Sequence, residues 1–514
     1  MRSIQKIVYF LDIPDFIGGA NKVLLTQACI LKRRGYQVKV MIPEQGRDYH
    51  IEECAEICER NGVELSSVYY TVAVCMENID ILQALKDHQN IIRILREDKP
   101  DLIHSVQLNI AVELAARELG IPHLMNIYQT DREAFNVDWM KVYPQYHSAD
   151  SLLVCERWGK GLNIPSRCIR VAYESSQCNQ IAKRKESDML TILSIGLLCE
   201  RKNQLETLKF VLRCRDCGKS VKLIFLGDDA TVYGQECRNF VETNGLQHSV
   251  VFKGFVSNIE EYFQKADLLI VASSVESYPG VIVESMANKV PVLSTPVAGV
   301  PELVTDEKNG FLTKGYGEES IYEAFLRYLS FRESNQIGLI TENAYNTYLA
   351  NHTYQTVGDQ LEGYYQWIME DYHSKNASFL TADQVRKMFG DNRIPSQEAK
   401  FVWFLNHVFD LISQKENRKI AIWGAGYWGS RVLEWIRVWG RETDFAGFMD
   451  TNKRGSYLGY PIAEDRETLI TECGTVFIAL GDTKGMMEII NYLENLGKVR
   501  NRDYFLACNA PFRI

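Results

Sequence analysis

Two carboxylates, Glu276 and Glu284, stand eight positions apart in the stretch ASSVESYPGVIVESMANKVPVLSTPVAGVPELV, Ala272 to Val304. Between them Pro279-Gly280 breaks the chain where a helix can begin. One β-branched run, Asp267 to Ala272, leads in, and a second, Val290 to Thr295, leads out. In open α/β sheets, ligands bind where strand ends meet helix starts. Backbone N–H groups at such a start, backed by the helix dipole, suit a phosphate. Carboxylates accept hydrogen bonds from sugar hydroxyls. A phosphate cradle with two hydroxyl-binding acids beside it is what a nucleotide-sugar requires.

Three further clusters can do chemistry. Gly196 ends a strand, and Arg201 and Lys202 follow five and six residues later. A planar guanidinium fork and an ammonium point charge there would neutralise a departing diphosphate, or simply form a solvated basic turn. Gly18-Gly19 lies between a strand and a helical pattern, either as close-approach backbone donors to a ligand or as a tight turn. In WGAGYWGS, Gly424, Gly426 and Gly429 take GxGxxG spacing after a strand, and Asp450 ends the next strand 21 residues past Gly429. That is a dinucleotide fingerprint for NAD or another nucleotide. Tyr427-Trp428 would crowd a pyrophosphate, in which case the loop only shapes the fold.

The elements that position these groups alternate along the chain. IQKIVYFLDI, YQVKVMIP, DLIHSV, HLMNIYQ and SLLVCE (Ser151 to Glu156) read as strands of a first unit, and NKVLLTQACILKRRG as a helix. After the charged linker AKRKESD (182–188) come LTILSIG, VKLIFLG, SVVFKG, DLLIVA and VPVLST. Gln355 to Tyr372 reads as an amphipathic helix closing this unit. A third series, RKIAIWGAG, FAGFMD, TVFIALG and DYFLA, follows an aromatic-rich helical stretch. Strands alternating with helices predict parallel sheets with helices on both faces. The division expected is an N-terminal domain at 1–180, a second domain at 181–354, a closing helix at 355–375, a helical linker at 376–417 and a Rossmann-like domain at 418–514.

Bulk properties narrow the partners. A chain of 514 residues has room for about three domains. Its net charge of −9 lacks the basic footprint that nucleic acid demands. No run approaches the ~18 apolar residues that span a bilayer, and MRSIQKIVYFLDIPDF reads as a first strand, too short in its apolar part for a signal peptide. The 13 cysteines show no repeating spacing, which predicts a reduced, cytoplasmic setting. Cys214 and Cys217 lack a second CxxC and read as a helix end before Gly218, so no metal site is expected.

Taken together, the Gly18-Gly19 loop, GLLCERKN, VFKGFV and the paired-glutamate segment with TPVAGVPELVTDEKNGFL resemble the retaining GT-B glycosyltransferases of family 4, over about residues 4 to 372. Glu-Ser-Tyr-Pro-Gly is similar to that family's common Glu-Ser-Phe-Pro-Asn. The resemblance implies an α/β GT-B fold, two Rossmann-like domains facing a cleft, here with a third small Rossmann-like domain appended. It implies hexosyl transfer with retention, from a UDP- or GDP-sugar to a glycan or lipid-linked acceptor in surface polysaccharide or cell-wall synthesis, with no metal or other cofactor. Glu276 would contact donor-sugar hydroxyls and Glu284 the ribose. Arg201 and Lys202 would bind the diphosphate, helped by the segment Tyr278-Pro279-Gly280-Val281, through the N–H groups of its residues other than proline, and by Gly18-Gly19. Gly254-Phe255-Val256 would run beside the base.

The chain departs from the family pattern at Leu197, where Arg is usual after the glycine, and at Val106, where a second His is usual after His104. Tyr128 stands where His is frequent. His104 and Tyr128 are therefore the acceptor-side candidates, with a satisfied structural histidine as the alternative. A non-catalytic GT-B adaptor and a nucleotide-sugar epimerase are the competing readings. A lipid-linked acceptor would draw the chain to the inner membrane face, although Lys32-Arg33-Arg34 and Lys183-Arg184-Lys185 are short basic segments. GFMDTNKRGSYLGYPI looks similar to the small Rossmann-like domains fused to sugar acyltransferases.

Overall fold

A computed structural model describes residues 4–12, 19–43, 51–68, 70, 81–107, 109–128, 144–174, 189–256, 258–374, 408–409, 412–438, 440–480, 483–500 and 502–507. Seven parallel strands form the first sheet: β1 (Lys6–Phe10), β2 (Gln37–Pro43), β3 (Glu64–Val68), β4 (Leu102–Val106), β5 (His123–Asn126), β6 (Tyr146–Ala149) and β7 (Ser166–Cys168). They lie in the order 3-2-1-4-5-6-7. The central strands are buried on both faces, as a parallel sheet covered by helices requires. The helix α1 (Gly19–Arg33) covers one face with Leu24, Leu25, Ala28 and Leu31.

Ser151 to Glu156, expected as a strand, is the start of a helix, α2 (Leu152–Leu162). The Ser151 hydroxyl accepts the N–H of Val154 and caps it, and the strand lies just upstream as β6. A short apolar run carries no periodicity that separates the two.

The second sheet holds β8 (Leu190–Ile195), β9 (Val221–Leu226), β10 (Val250–Phe252), β11 (Leu268–Val271), β12 (Val292–Ser294) and β13 (Phe311–Leu312), parallel in the order 10-9-8-11-12-13. After β11 comes α3 (Gly280–Ala287), and after β12 the single turn α4 (Val300–Leu303). Cys217 ends the helix Gln204–Asp216 just before Gly218.

The long helix α5 (Tyr354–Ser374) does not close the second unit. Its buried stripe of Val357, Leu361, Tyr364, Tyr365, Ile368 and Tyr372 belongs to the core of the first sheet, beside α1. Arg34 fixes the seam, lying across Gly358 and pairing with Asp359 at 2.8 Å and Glu362 at 2.5 Å. Arg33 is likewise engaged, by Glu174 and Asn61, so this basic segment is part of the packing.

A third sheet, β14 (Ile420–Trp423), β15 (Phe445–Met449), β18 (Thr475–Ile478) and β19 (Tyr504–Leu506), is parallel in the order 15-14-18-19, with the hairpin β16 (Ser456–Tyr457) and β17 (Tyr460–Pro461) beside it. Its helix α6 (Tyr427–Val438) packs against the helix Ile81–Asp98 of the first unit. The expected linkers at 182–188 and most of 376–417 lie outside the described residues.

Leu361 is wholly buried in the first core although it follows the second unit in sequence. Leu361→Ala should therefore cost about 2–5 kcal/mol, read as a lowered denaturant midpoint for fluorescence from the first unit.

Candidate functional site

The carboxyl ends of the second sheet carry most of the expected groups. Gly196, Gly227 and Gly254 end β8, β9 and β10, and Phe255 next to Gly254 is exposed. A 3-10 turn, Glu200–Lys202, hangs beyond β8. Its Arg201 carbonyl accepts the N–H of Ser274 at 2.8 Å and its hydroxyl at 3.2 Å, so the basic turn is tied to the loop of Glu276. The Lys202 stem runs over Gly196, where a Cβ would lie 3.5 Å from its Cε. Its ammonium pairs with Glu276 Oε1, which also accepts from Ser273 Oγ at 2.8 Å. Both charged side chains are largely buried, so each is held by the other. Arg201 beside them is exposed.

Glu284 lies on α3 and is 6% exposed. Its Oε1 accepts from Lys22 Nζ at 3.0 Å, and Lys22 sits on α1 of the other unit. The Glu284 charge, against the effect of burial, raises the Lys22 pKa. Pro279, in extended backbone, precedes α3, and no side chain caps its first N–H groups at Gly280 and Val281. Those groups suit an anion. The Tyr278 ring is buried. Its hydroxyl meets His352 Nε2 at 3.3 Å, and the Arg170 guanidinium lies 4.8 Å over its ring. Gly19 is exposed at the first turn of α1, and Gly18 lies outside the described residues.

Lys22 was missed by motif reading. Its signal was local: helix N-termini disfavour cations, so a lysine near the start of α1, with no acid in that turn, marks a residue with a partner elsewhere.

His104 is not at an acceptor surface. On β4 it shares the inward face with Leu102 and Val106 and is 0% exposed. Nδ1 lies 2.5 Å from the Tyr365 hydroxyl, which in turn meets the Tyr9 hydroxyl at 2.8 Å. Nε2 has no partner among the described residues. Burial lowers its pKa to about 3. The ring is a neutral core group, which corrects the expectation that it serves catalysis. Tyr128 is also buried, and its hydroxyl accepts from Asn126 Nδ2 at 2.8 Å.

In the third unit the GxGxxG loop forms as expected. A Cβ on Gly429 would fall 1.9 Å from the Gly424 carbonyl oxygen, so the helix can approach its strand only at glycine, while Gly426 faces open space. Asp450 is already committed. One oxygen accepts the N–H of Ala425 at 2.8 Å, and the other accepts those of Asn452 and Lys453 at 2.9 Å each. Burial raises its pKa, but these three donors and the Lys453 charge hold it below the ordinary value. The acid of the fingerprint braces the glycine loop. Among the described residues no group of three His, Cys, Asp or Glu side chains could hold a metal ion.

Comparison with known proteins places this geometry. Residues 17–160 match the model for Glycosyltransferase Family 4, residues 177–346 that for Glycosyl transferases group 1, and residues 419–493 that for the PglD N-terminal domain. A stretch of 130 residues is 31% identical to EpsD of Bacillus subtilis, covering 25% of this chain and 33% of EpsD. Over 309 residues the chain is 23% identical to a Campylobacter jejuni enzyme, GalNAc-alpha-(1->4)-GalNAc-alpha-(1->3)-diNAcBac-PP-undecaprenol alpha-1,4-N-acetyl-D-galactosaminyltransferase, covering 57% of this chain and 81% of that one. Anabaena HepE, solved with UDP and glucose, superposes with a TM-score of 0.57 at 19% identity, over 70% of this chain and 99% of HepE. The fold is therefore GT-B with a third α/β unit appended.

The buried histidines predict an acid limb in stability. His104 stays neutral to about pH 3, His147 to about 3 and His352 to about 4, each because of burial. An unfolded histidine binds its proton near 6.5. Between those values the unfolded chain holds more protons, so stability falls as pH drops from about 6.5. His104→Gln should flatten that limb by up to about 1.4 kcal/mol per pH unit, measured by denaturant titration at several pH values.

Proposed function

We propose, from the premise that residues 17–160 are a glycosyltransferase family 4 domain and residues 177–346 a glycosyl transferases group 1 domain, that the chain moves a sugar from a nucleotide-sugar onto a glycan or lipid-linked acceptor in polysaccharide or cell-wall synthesis. The observation that carries the reading is the joining of Lys202 and Glu276 across two loops at one sheet edge, beside the uncapped start of α3. A cation for a phosphate and an acid for a sugar hydroxyl stand in contact there, as a sugar diphosphate needs.

Transfer proceeds with retention. The acceptor oxygen bonds to the anomeric carbon on the face from which the diphosphate departs. The anomeric carbon–oxygen bond breaks, and the acceptor's proton passes to the departing phosphate oxygen. Arg201, Lys202 and the N–H groups of Gly280 and Val281 meet the leaving charge, in the role a metal ion plays elsewhere, and catalysis is positioning plus electrostatic stabilisation. Glu276 orients the sugar, and Glu284 takes the ribose diol in place of Lys22. Phe255 lies beside the base. The UDP bound in HepE favours a UDP-sugar, and the undecaprenol-linked acceptor of the Campylobacter enzyme favours a lipid-linked glycan met at the inner membrane face. Among the described residues no helix is long and apolar enough to cross a membrane.

A non-catalytic adaptor is the second reading, favoured by the core placement of His104. A panel of UDP- and GDP-sugars, read for nucleotide release, separates the two. At least one donor should release nucleotide, and Glu276→Ala or Lys202→Ala should cut that release on the order of 10²-fold or more. Donor binding without release supports the adaptor, and neither binding nor release overturns the donor site itself.

A further inference from the structure

Ser277 and Tyr278 link Glu276 to the helix that bears Glu284, and the first unit grips them from several sides. Asp150 ends β6 and is 5% exposed, and its Oδ1 accepts from Ser277 Oγ at 2.7 Å. The Ser277 carbonyl accepts the N–H of Gly299 at 2.9 Å. A Cβ on Gly299 would lie 2.3 Å from that carbonyl oxygen, 2.8 Å from Ser151 Cβ and 3.0 Å from the Tyr278 ring, so the two units close here without room for a methyl group. Arg170, just past β7, covers the Tyr278 ring and donates to the Asp150 carbonyl and to Glu302 Oε2, both at 2.8 Å. Glu302 on α4 accepts the N–H groups of Leu152 and Leu153 at 2.9 and 3.1 Å, capping α2 from the opposite unit.

This arrangement holds a carboxyl group out of water. Burial pushes Asp150 up to about 7, with the Ser277 hydrogen bond and the Arg170 charge working the other way. Buried acids are retained where they are paired, and the side-chain partner here is a hydroxyl next to the sugar-binding acid.

We propose that Asp150 is a positioning residue for the transfer reaction: through Ser277 it sets the backbone that carries Glu276, so the donor-binding geometry is complete only when the two units are docked. The inference rests on the donor-site reading above, and Asp150 touches neither donor nor acceptor.

Two measurements on the full chain test it. With the donor that the wild-type chain turns over, Asp150→Ala and Ser277→Ala should each lower kcat about tenfold, the barrier equivalent of one hydrogen bond. Ser277→Thr, which keeps the hydroxyl, should restore most of that rate. The double alanine variant should fall no further than either single one, as a shared interaction requires. Hydrogen–deuterium exchange of the unliganded chain should quicken at residues 274–281 in Asp150→Ala and stay unchanged in β8 and β9. Unchanged kcat in the single variants, multiplying losses in the double variant, or unchanged exchange at 274–281 would each overturn the proposal. A wild-type chain that releases nucleotide from no donor instead sinks the reaction, while the exchange result still decides whether Asp150 holds the loop.

Discussion

Charge withdrawn from water at the meeting of two sheet edges constrains much of this molecule. Glu284, Asp150 and Glu302 are each largely buried, and each finds its partner in the opposite unit: Lys22, Ser277, and Arg170 with the first amides of α2. Buried polar groups need partners, so separating the units would break all three sets of contacts at once. The loops between them are thereby held in register. Lys202 and Glu276 can face one another because Ser274 anchors one loop on the other and Asp150 steadies Ser277, the residue after Glu276.

The same logic accounts for what each unit's interior looks like. The central strands of the first sheet are buried on two faces, so polar side chains within them must be paired locally. His123 meets Glu113 and Ser105 at 2.8 Å each, and Asn126 joins Gln27 and Tyr128. These networks give the first unit a polar interior in which most of the named groups are spent on one another, His104 Nε2 and Gln27 Nε2 being exceptions among the described residues. In the second unit Arg201, Lys202 and Glu276 stand on the loops beyond the strand ends. Rigid packing thus stands beneath the exposed chemistry.

What the amino-acid order made legible was local. The paired glutamates, the Pro-Gly break and the two basic residues after Gly196 occupy one sheet edge because βα turns return to that edge every time. The glycine loop and Asp450 were likewise legible as spacing, but spacing did not show that the acid would be consumed by the loop's own amides. Ser151 to Glu156 misled because its apolar run of four fits a strand or a helix, and the cap that decides is one hydroxyl. His104 was legible as a strand residue; its burial followed from a central parallel strand covered on both faces, where Ile103 is as buried as Leu102. The cross-unit pairs escaped altogether, since nothing in the neighbourhood of Lys22 or Asp150 names a residue more than a hundred positions away.

The return of α5 to the first sheet carries a consequence for how the chain is made. Val357, Leu361, Tyr365 and Ile368 fill a face of that sheet which α1 alone leaves open. A ribosome must therefore finish the whole second unit before the first can seal its interior. Until then the nascent first sheet presents an apolar groove to its surroundings, where chaperones or neighbouring chains can reach it. The second sheet, continuous in sequence, has no such wait. Between the two large units, biogenesis runs against the order of synthesis: the one made first is completed second.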